Sequence, residues 1–233
     1  KDFNIKQTED GSWLNFKDIE NKETFNIEDL RGCYAIGGVD LSSTTDLTAT
    51  VLYVEKGGKK YLVSHFFMPS DVLRERIPED SVPYDIWVQK GYITLTEGSQ
   101  NDFSLVTQWF RSMIDKYDIR PLWVGYDSWN SQYWVKEMED MGFEMEKIRQ
   151  GVYTLSEPKK QLEADLRNHA LNYNNPIIKW CLANTQAKVD VNGNIQPSKL
   201  NSRLKRIDGT VATIIAYATL TRYKLDYENV VKY

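Results

Sequence analysis

The run Tyr34-Ala-Ile-Gly-Gly-Val-Asp-Leu-Ser-Ser-Thr-Thr-Asp-Leu-Thr-Ala-Thr-Val-Leu-Tyr53 decides the architecture. A mostly apolar strand ends on Asp40, a Ser/Thr turn follows, and a second apolar strand leaves it. So short a turn makes the two strands antiparallel neighbours. Gly37 and Gly38 carry no side chain, so another backbone can approach closely there. The Asp40 carboxylate is costly to bury alone and calls for a cation, strong donors or solvent.

Working outward, Gly57-Gly58 is a tight hairpin signal that feeds a third strand, 60–68. Residues 70–77 read as a short helix halted at Pro78, and a second short helix surrounds Tyr84, Trp87 and Val88. A brief strand at 92–96 comes next. Asn101-Asp102 opens a helix whose Leu105, Val106, Trp109, Phe110, Met113 and Tyr117 recur at helical spacing. Pro121 resets the chain into a fourth strand, Leu122-Trp-Val-Gly-Tyr-Asp127. Asn130 is placed to cap the following helix, which stops at Gly142, and 143–148 form a fifth strand. Ser156 reads as the cap of a helix carrying Leu162, Leu166, His169, Ala170 and Tyr173. Residues 180–189 and 195–199 flank Asn192-Gly193, a hairpin signal, and a buried helix starts after Asp208-Gly209.

The order predicts an α/β fold. Three antiparallel strands and then parallel strands make a mixed five-stranded sheet flanked by helices, with a β-hairpin near the C-terminus. Residues 1–32 read as a peripheral lead-in, with a short strand around Trp13, Leu14 and Phe16, and residues 33–233 as one domain. A start on Lys1 points to a segment excised from a longer chain.

At 233 residues, 41% hydrophobic and 27% charged, the composition is that of a globular protein. No apolar run approaches the roughly 20 residues of a membrane span, and the polar first residues lack a secretory signal core. Cys33 and Cys181 have no metal-ligand spacing, which points to a reducing cytoplasm. A net charge of −4 argues against a uniformly DNA-coating surface and leaves room for a local basic patch.

Three aspartates stand at element boundaries: Asp40, Asp127 and Asp208. With the first and fourth strands adjacent and parallel, their carboxyl ends lie side by side, and a helix crossing that edge delivers Asp208. Three such carboxylates repel unless a cation neutralises them. Hard oxygen donors suit Mg²⁺ or Mn²⁺. Two ions about 3.5–4 Å apart can activate a water and stabilise the leaving oxygen of a phosphodiester. Singly, each acid also has an ordinary reading: Asp40 as a turn residue, Asp127 at a helix start, Asp208 as an N-cap.

Gly38-Val-Asp-Leu-Ser-Ser-Thr-Thr-Asp-Leu-Thr-Ala49, Gly125-Tyr-Asp-Ser128, Leu155-Ser-Glu-Pro158 and Arg206-Ile-Asp-Gly-Thr-Val-Ala212 together resemble the nuclease domain of tailed-phage terminase large subunits. The resemblance spans about residues 33–220. It implies an RNase H-like fold and a metal-dependent endonuclease that cuts concatemeric viral DNA in the bacterial host cytoplasm during packaging. Asp40, Asp127 and Asp208 would be the metal ligands, and Asp46 a loop-ordering residue. It also implies an upstream packaging ATPase domain, a small terminase subunit and a portal as partners, the lead-in belonging to the connection.

For double-stranded DNA, Lys199, Arg203, Lys205 and Arg206 form an acid-free run beside Asp208, and Lys188 lies on the facing hairpin strand. These read as a phosphate-contacting edge, with Arg149, Gln150, Lys159 and Lys160 as an extension; a solvated basic loop is the alternative. No base-reading element is visible, which fits cutting with little sequence preference. His65 and His169 read as structural, and most tryptophans as packing. Two other functions compete: a non-catalytic DNA- or portal-docking module, and an actin-like or sugar-kinase ATPase fragment. The latter lacks a glycine soon after Asp40.

Overall fold

A computed structural model describes residues 12–21, 23–43, 46–80, 82–127, 131–149, 151–189, 195–199 and 206–231, with backbone alone at 78–80, 152–153, 187–189 and 195–199. The predicted hairpin forms as β1 (Tyr34–Asp40) and β2 (Thr48–Lys56), antiparallel, with β3 (Lys59–Pro69) beyond it. β1 pairs in parallel with β5 (Arg120–Asp127) on its other side, and β5 with β6 (Met145–Ile148). The first strand is therefore the centre of the sheet.

That sheet has seven strands where five were expected. β4 (Ile93–Thr96) and β7 (Leu171–Tyr173) share the outer edge of β3, each parallel to it. The segment that becomes β7 carries apolar residues at helical spacing, which is why it reads as helix. The structure instead ends α5 (Val152–Arg167) before it, and His169 turns the chain at φ 51°.

One face of the sheet packs on α3 (Phe103–Tyr117), capped by Asp102, and α4 (Gln132–Asp140) through Ala35, Val39, Val54, Val106, Phe110 and Met138. The other packs on α5, α6 (Pro176–Ala183) and α7 (Asp208–Arg222) through Ile36, Val51, Phe66, Leu162 and Ile215. Two smaller helices, α1 (Ser70–Asp80) and α2 (Tyr84–Gln89), follow β3, and α8 (Lys224–Val231) ends the described chain. Among the described residues no helix is long and apolar enough to cross a membrane.

Several local expectations are corrected. α1 continues through Pro78 to Asp80. α5 begins at Val152, so Ser156 and Pro158 lie inside it, and Trp180 belongs to α6 instead of a strand. β8 (Thr185–Val189) pairs with β9 (Ile195–Lys199) as the predicted hairpin, while Asn192-Gly193, Asn130 and Trp129 lie outside the described residues. The lead-in is not peripheral: Trp13, Leu14 and Ile19 are buried in the main core. Ser12 bridges Gln186 of β8, and the Trp13 indole donates to Glu163 at 2.8 Å while lying over the Lys159 ammonium.

His65 is structural, as expected. It stacks on Trp109, meets Thr94 Oγ1 at 2.7 Å, and burial pushes its imidazole down to about 4. An unfolded imidazole takes up its proton near pH 6.5, so this contribution to stability is complete above that pH. It is lost as pH falls from 6.5 towards 4, by up to about 3 kcal/mol. His65→Gln should flatten the fall in melting temperature between pH 7 and 4.5; parallel curves for the two proteins would reject this account.

Candidate active site

The placement of the three aspartates follows from two glycines and a helix. Gly38 and Gly125 are direct partners in the β1–β5 ladder. A Cβ on Gly38 would fall 2.2 Å from the carbonyl oxygen of Ala212 and 2.6 Å from the Ala216 nitrogen; on Gly125 it would collide with the Thr219 hydroxyl. The backbone of α7 therefore rests directly on these glycines. Small residues on its underside (Ala212, Ala216) permit the approach, and its buried Thr213 and Thr219 bond their own preceding turn, Thr213 Oγ1 donating to the Gly209 carbonyl at 2.7 Å and Thr219 Oγ1 to the Ile215 carbonyl at 2.9 Å.

Strand side chains alternate with a period of two. Asp40 lies two residues beyond Gly38 and Asp127 two beyond Gly125, so both point to the face that carries α7. The ladder closes with Val39 opposite Tyr126, so the acids that follow stand side by side at the carboxyl edge. Asp208 precedes Ala212 by one turn on the same helix face. Two strand residues advance about 6.6 Å and four helical residues about 6 Å, so the levels of Asp40 and Asp208 match.

Electrostatics agree with the placement of Asp40 and Asp208. Burial pushes the Cys181 thiol well above its ordinary range, and the carboxylates of Asp208 and then Asp40 push the same way. One sulfur thus senses both acids, while the Gly209 and Thr210 N–H groups at the start of α7 donate to it. Asp208 is 5% exposed, and Asp40 and Asp127 are half-buried. Nor is Asp208 an ordinary N-cap: that position is Ile207, without a side-chain cap bond.

Among the described residues, no group of three or more His, Cys, Asp or Glu is gathered closely enough to hold a metal ion. Asp40 and Asp127 instead end neighbouring strands, with Asp208 at the start of α7. Their donor set, carboxylate oxygen alone, fits Mg²⁺ or Mn²⁺, which keep several waters and take only one or two carboxylates each. Asp40, Asp127 and Asp208 are the candidates to hold such ions.

The basic residues separate into groups. Lys188 and Lys199 lie on the paired strands of the hairpin, Lys188 opposite Gln196 and Lys199 opposite Thr185. Arg203 and Lys205 lie outside the described residues. The base of the hairpin is tied to the edge: Thr185 Oγ1 meets Thr210 Oγ1 at 3.1 Å, and Asn184 donates to the Arg206 carbonyl at 3.1 Å. Arg206 itself is 2% exposed and pairs with Asp46, an arrangement that residue type alone does not reveal. Lys159 is fully buried, its ammonium pushed down to about 8 by desolvation, which removes it from any surface track.

The family model for the endonuclease domain of terminase large subunits matches residues 1–223. The chain belongs to this family. It is 30% identical over 179 residues to the terminase large subunit of Enterobacteria phage HK97, covering 75% of this chain and 35% of that protein. The Lactococcus phage p2 terminase large subunit is 26% identical over 184 residues, 77% of this chain and 34% of its own length. The chain therefore spans about a third of these curated relatives.

The crystal structure of the HK97 large terminase superposes with a TM-score of 0.72 at 26% identity, covering 85% of this chain and 43% of that one. The terminase nuclease of thermophilic phage G20c, solved with bound magnesium, gives 0.55 at 12% identity and covers 90% and 98%. The fold is that of the RNase H-like terminase nucleases, as the sequence led us to expect.

Proposed function

We propose that this terminase nuclease domain is a divalent-metal-dependent endonuclease that cuts concatemeric viral DNA during genome packaging. The observation that supports the reading is the pair of Gly-x-Asp strand ends paired side by side under α7, the helix that Asp208 begins. Family membership and the magnesium and cobalt reported for the G20c nuclease support it. A pair of bound Mg²⁺ or Mn²⁺ ions would supply an activated water and neutralise the leaving oxygen.

The chain's own residues do the rest. Asp40 and Asp127, anchored mid-sheet, form a rigid base, and Asp208 is set over them by the helix. The β8–β9 hairpin, with Lys188, Lys199 and the following Arg203 and Lys205, guides the duplex backbone across that edge. Phosphate contacts of this kind hold any sequence, so cutting has little base preference. The upstream ATPase domain, small subunit and portal act with this domain in the host cytoplasm, the lead-in connecting it to the motor.

The test is cleavage of supercoiled plasmid with Mn²⁺, Mg²⁺ or EDTA. Nicking and linearisation are expected with either ion and none in EDTA; cutting that persists in EDTA would reject the metal assignment. Lys199→Glu with Lys205→Glu should weaken DNA binding and make its log–log salt slope shallower by about one unit per lysine. An unchanged slope removes the hairpin from the DNA path.

A further inference from the structure

The described residues between β1 and β2, 41–43 and 46–47, are held by a network of hydrogen bonds. The Ser42 N–H donates to Thr48 Oγ1, which donates back to the Ser42 carbonyl, both at 3.0 Å. Asn101, just before α3, donates from its side chain to the Ser42 carbonyl at 2.7 Å and from its N–H to the Ser43 carbonyl at 3.0 Å. Asp46 closes the turn, its N–H on Ser42 Oγ at 3.2 Å, and extends its carboxylate to the Arg206 guanidinium. That guanidinium is buried, which pushes its pKa down, while the nearby Asp208 carboxylate pushes the other way.

Arg206 precedes Asp208 by two residues, and Asp46 follows Asp40 by six. The ion pair thus joins the turn that leaves one candidate ligand to the strand-to-helix entry that delivers another. We propose that Asp46–Arg206 is a positioning clamp, which sets Asp208 against Asp40 before metal or DNA arrives. Arg206 then works inside the protein and is not one of the phosphate contacts of the basic run. A guanidinium suits the task because it stays charged when desolvated and presents several donors in a fixed plane.

The inference rests on the nuclease reading, so its test uses measurements beyond turnover. Asp46→Asn with Arg206→Gln removes the clamp while leaving net charge unchanged. Calorimetric titration with Mn²⁺ should show about tenfold weaker binding, and plasmid cleavage a kcat lower by about 10- to 100-fold, the range for residues that orient metal ligands. DNA affinity in EDTA and its salt slope should match wild type. Arg206→Lys, which keeps the cation and guards against a misfolded double variant, should recover much of the Mn²⁺ affinity. Wild-type Mn²⁺ binding in the folded double variant would overturn the clamp. So would a salt slope made shallower by about one phosphate in Arg206→Gln. Weaker Mn²⁺ binding alongside a wild-type protein that cuts no DNA would leave the clamp standing and strike only the nuclease reading.

Discussion

Replacing any one of Asp40, Asp127 or Asp208 by Asn is expected to lower Mn²⁺-dependent plasmid cleavage by a factor of about 10³. Metal ions contribute several kcal/mol of transition-state stabilisation, and about 1.4 kcal/mol corresponds to each tenfold in rate. Loss of about 4 kcal/mol with one ligand gives that factor. Asn keeps the size of the side chain and one oxygen, so the fold should survive. Asp40 and Asp127 are half-buried at the sheet edge, and their variants should melt within a few degrees of wild type. Asp208 stands near the Arg206 cation and the Cys181 thiol. Its variant separates the effects: retained melting temperature with lost cleavage assigns it to chemistry, whereas a folded Asp208→Asn that cuts normally removes it from the site.

Among the described glycines, Gly38→Ala should be the most damaging substitution. The added carbon would lie 2.2 Å from one backbone atom of α7 and 2.6 Å from another, so no side-chain rotation relieves it. Either the helix lifts or the strand bows. Overpacking of this kind costs about 3 kcal/mol, which for a domain of this size lowers the melting temperature by roughly 6–12 °C. Cleavage should fall further than stability does, because lifting α7 withdraws Asp208 from Asp40. Gly37→Ala is the control: its Cβ meets only side-chain carbons of Val124 and Phe110 at 3.0–3.2 Å, which can give slightly. Thermal melts and cleavage rates of the two variants together test the claim. Equal behaviour would mean that α7 does not rest on Gly38.

What the sequence yields and withholds follows from how far apart the interacting residues lie. The hairpin of 34–53 is local, and its turn chemistry and apolar runs are legible. So is the helical stripe of α3. The repeated Gly-x-Asp at 38–40 and 125–127 is also in plain view, and would have been a sharper signal than the aspartates alone. It couples the carboxylate to the place where a helix must approach. β7 was hidden because Leu171 and Tyr173 continue the apolar spacing of α5, and only pairing with distant Lys60–Leu62 makes them strand. The burial of Arg206 was hidden for a similar reason. A run rich in Lys and Arg reads as surface, and its partner Asp46 lies 160 residues earlier. Trp13 likewise gains its place from Glu163 and Thr185, far along the chain.

The seat of α7 on paired glycines also governs where the polypeptide tolerates changes of length. One extra residue between Asp208 and Ala212 would swing the acid by about 100° around the helix axis while the glycines held the remainder in register. An added residue in the β2–β3 turn at Gly57-Gly58, where a Cβ on either glycine would meet nothing within 4 Å, faces no such index mark. Insertions and deletions should therefore accumulate at that turn and be purged from the opening turn of the helix.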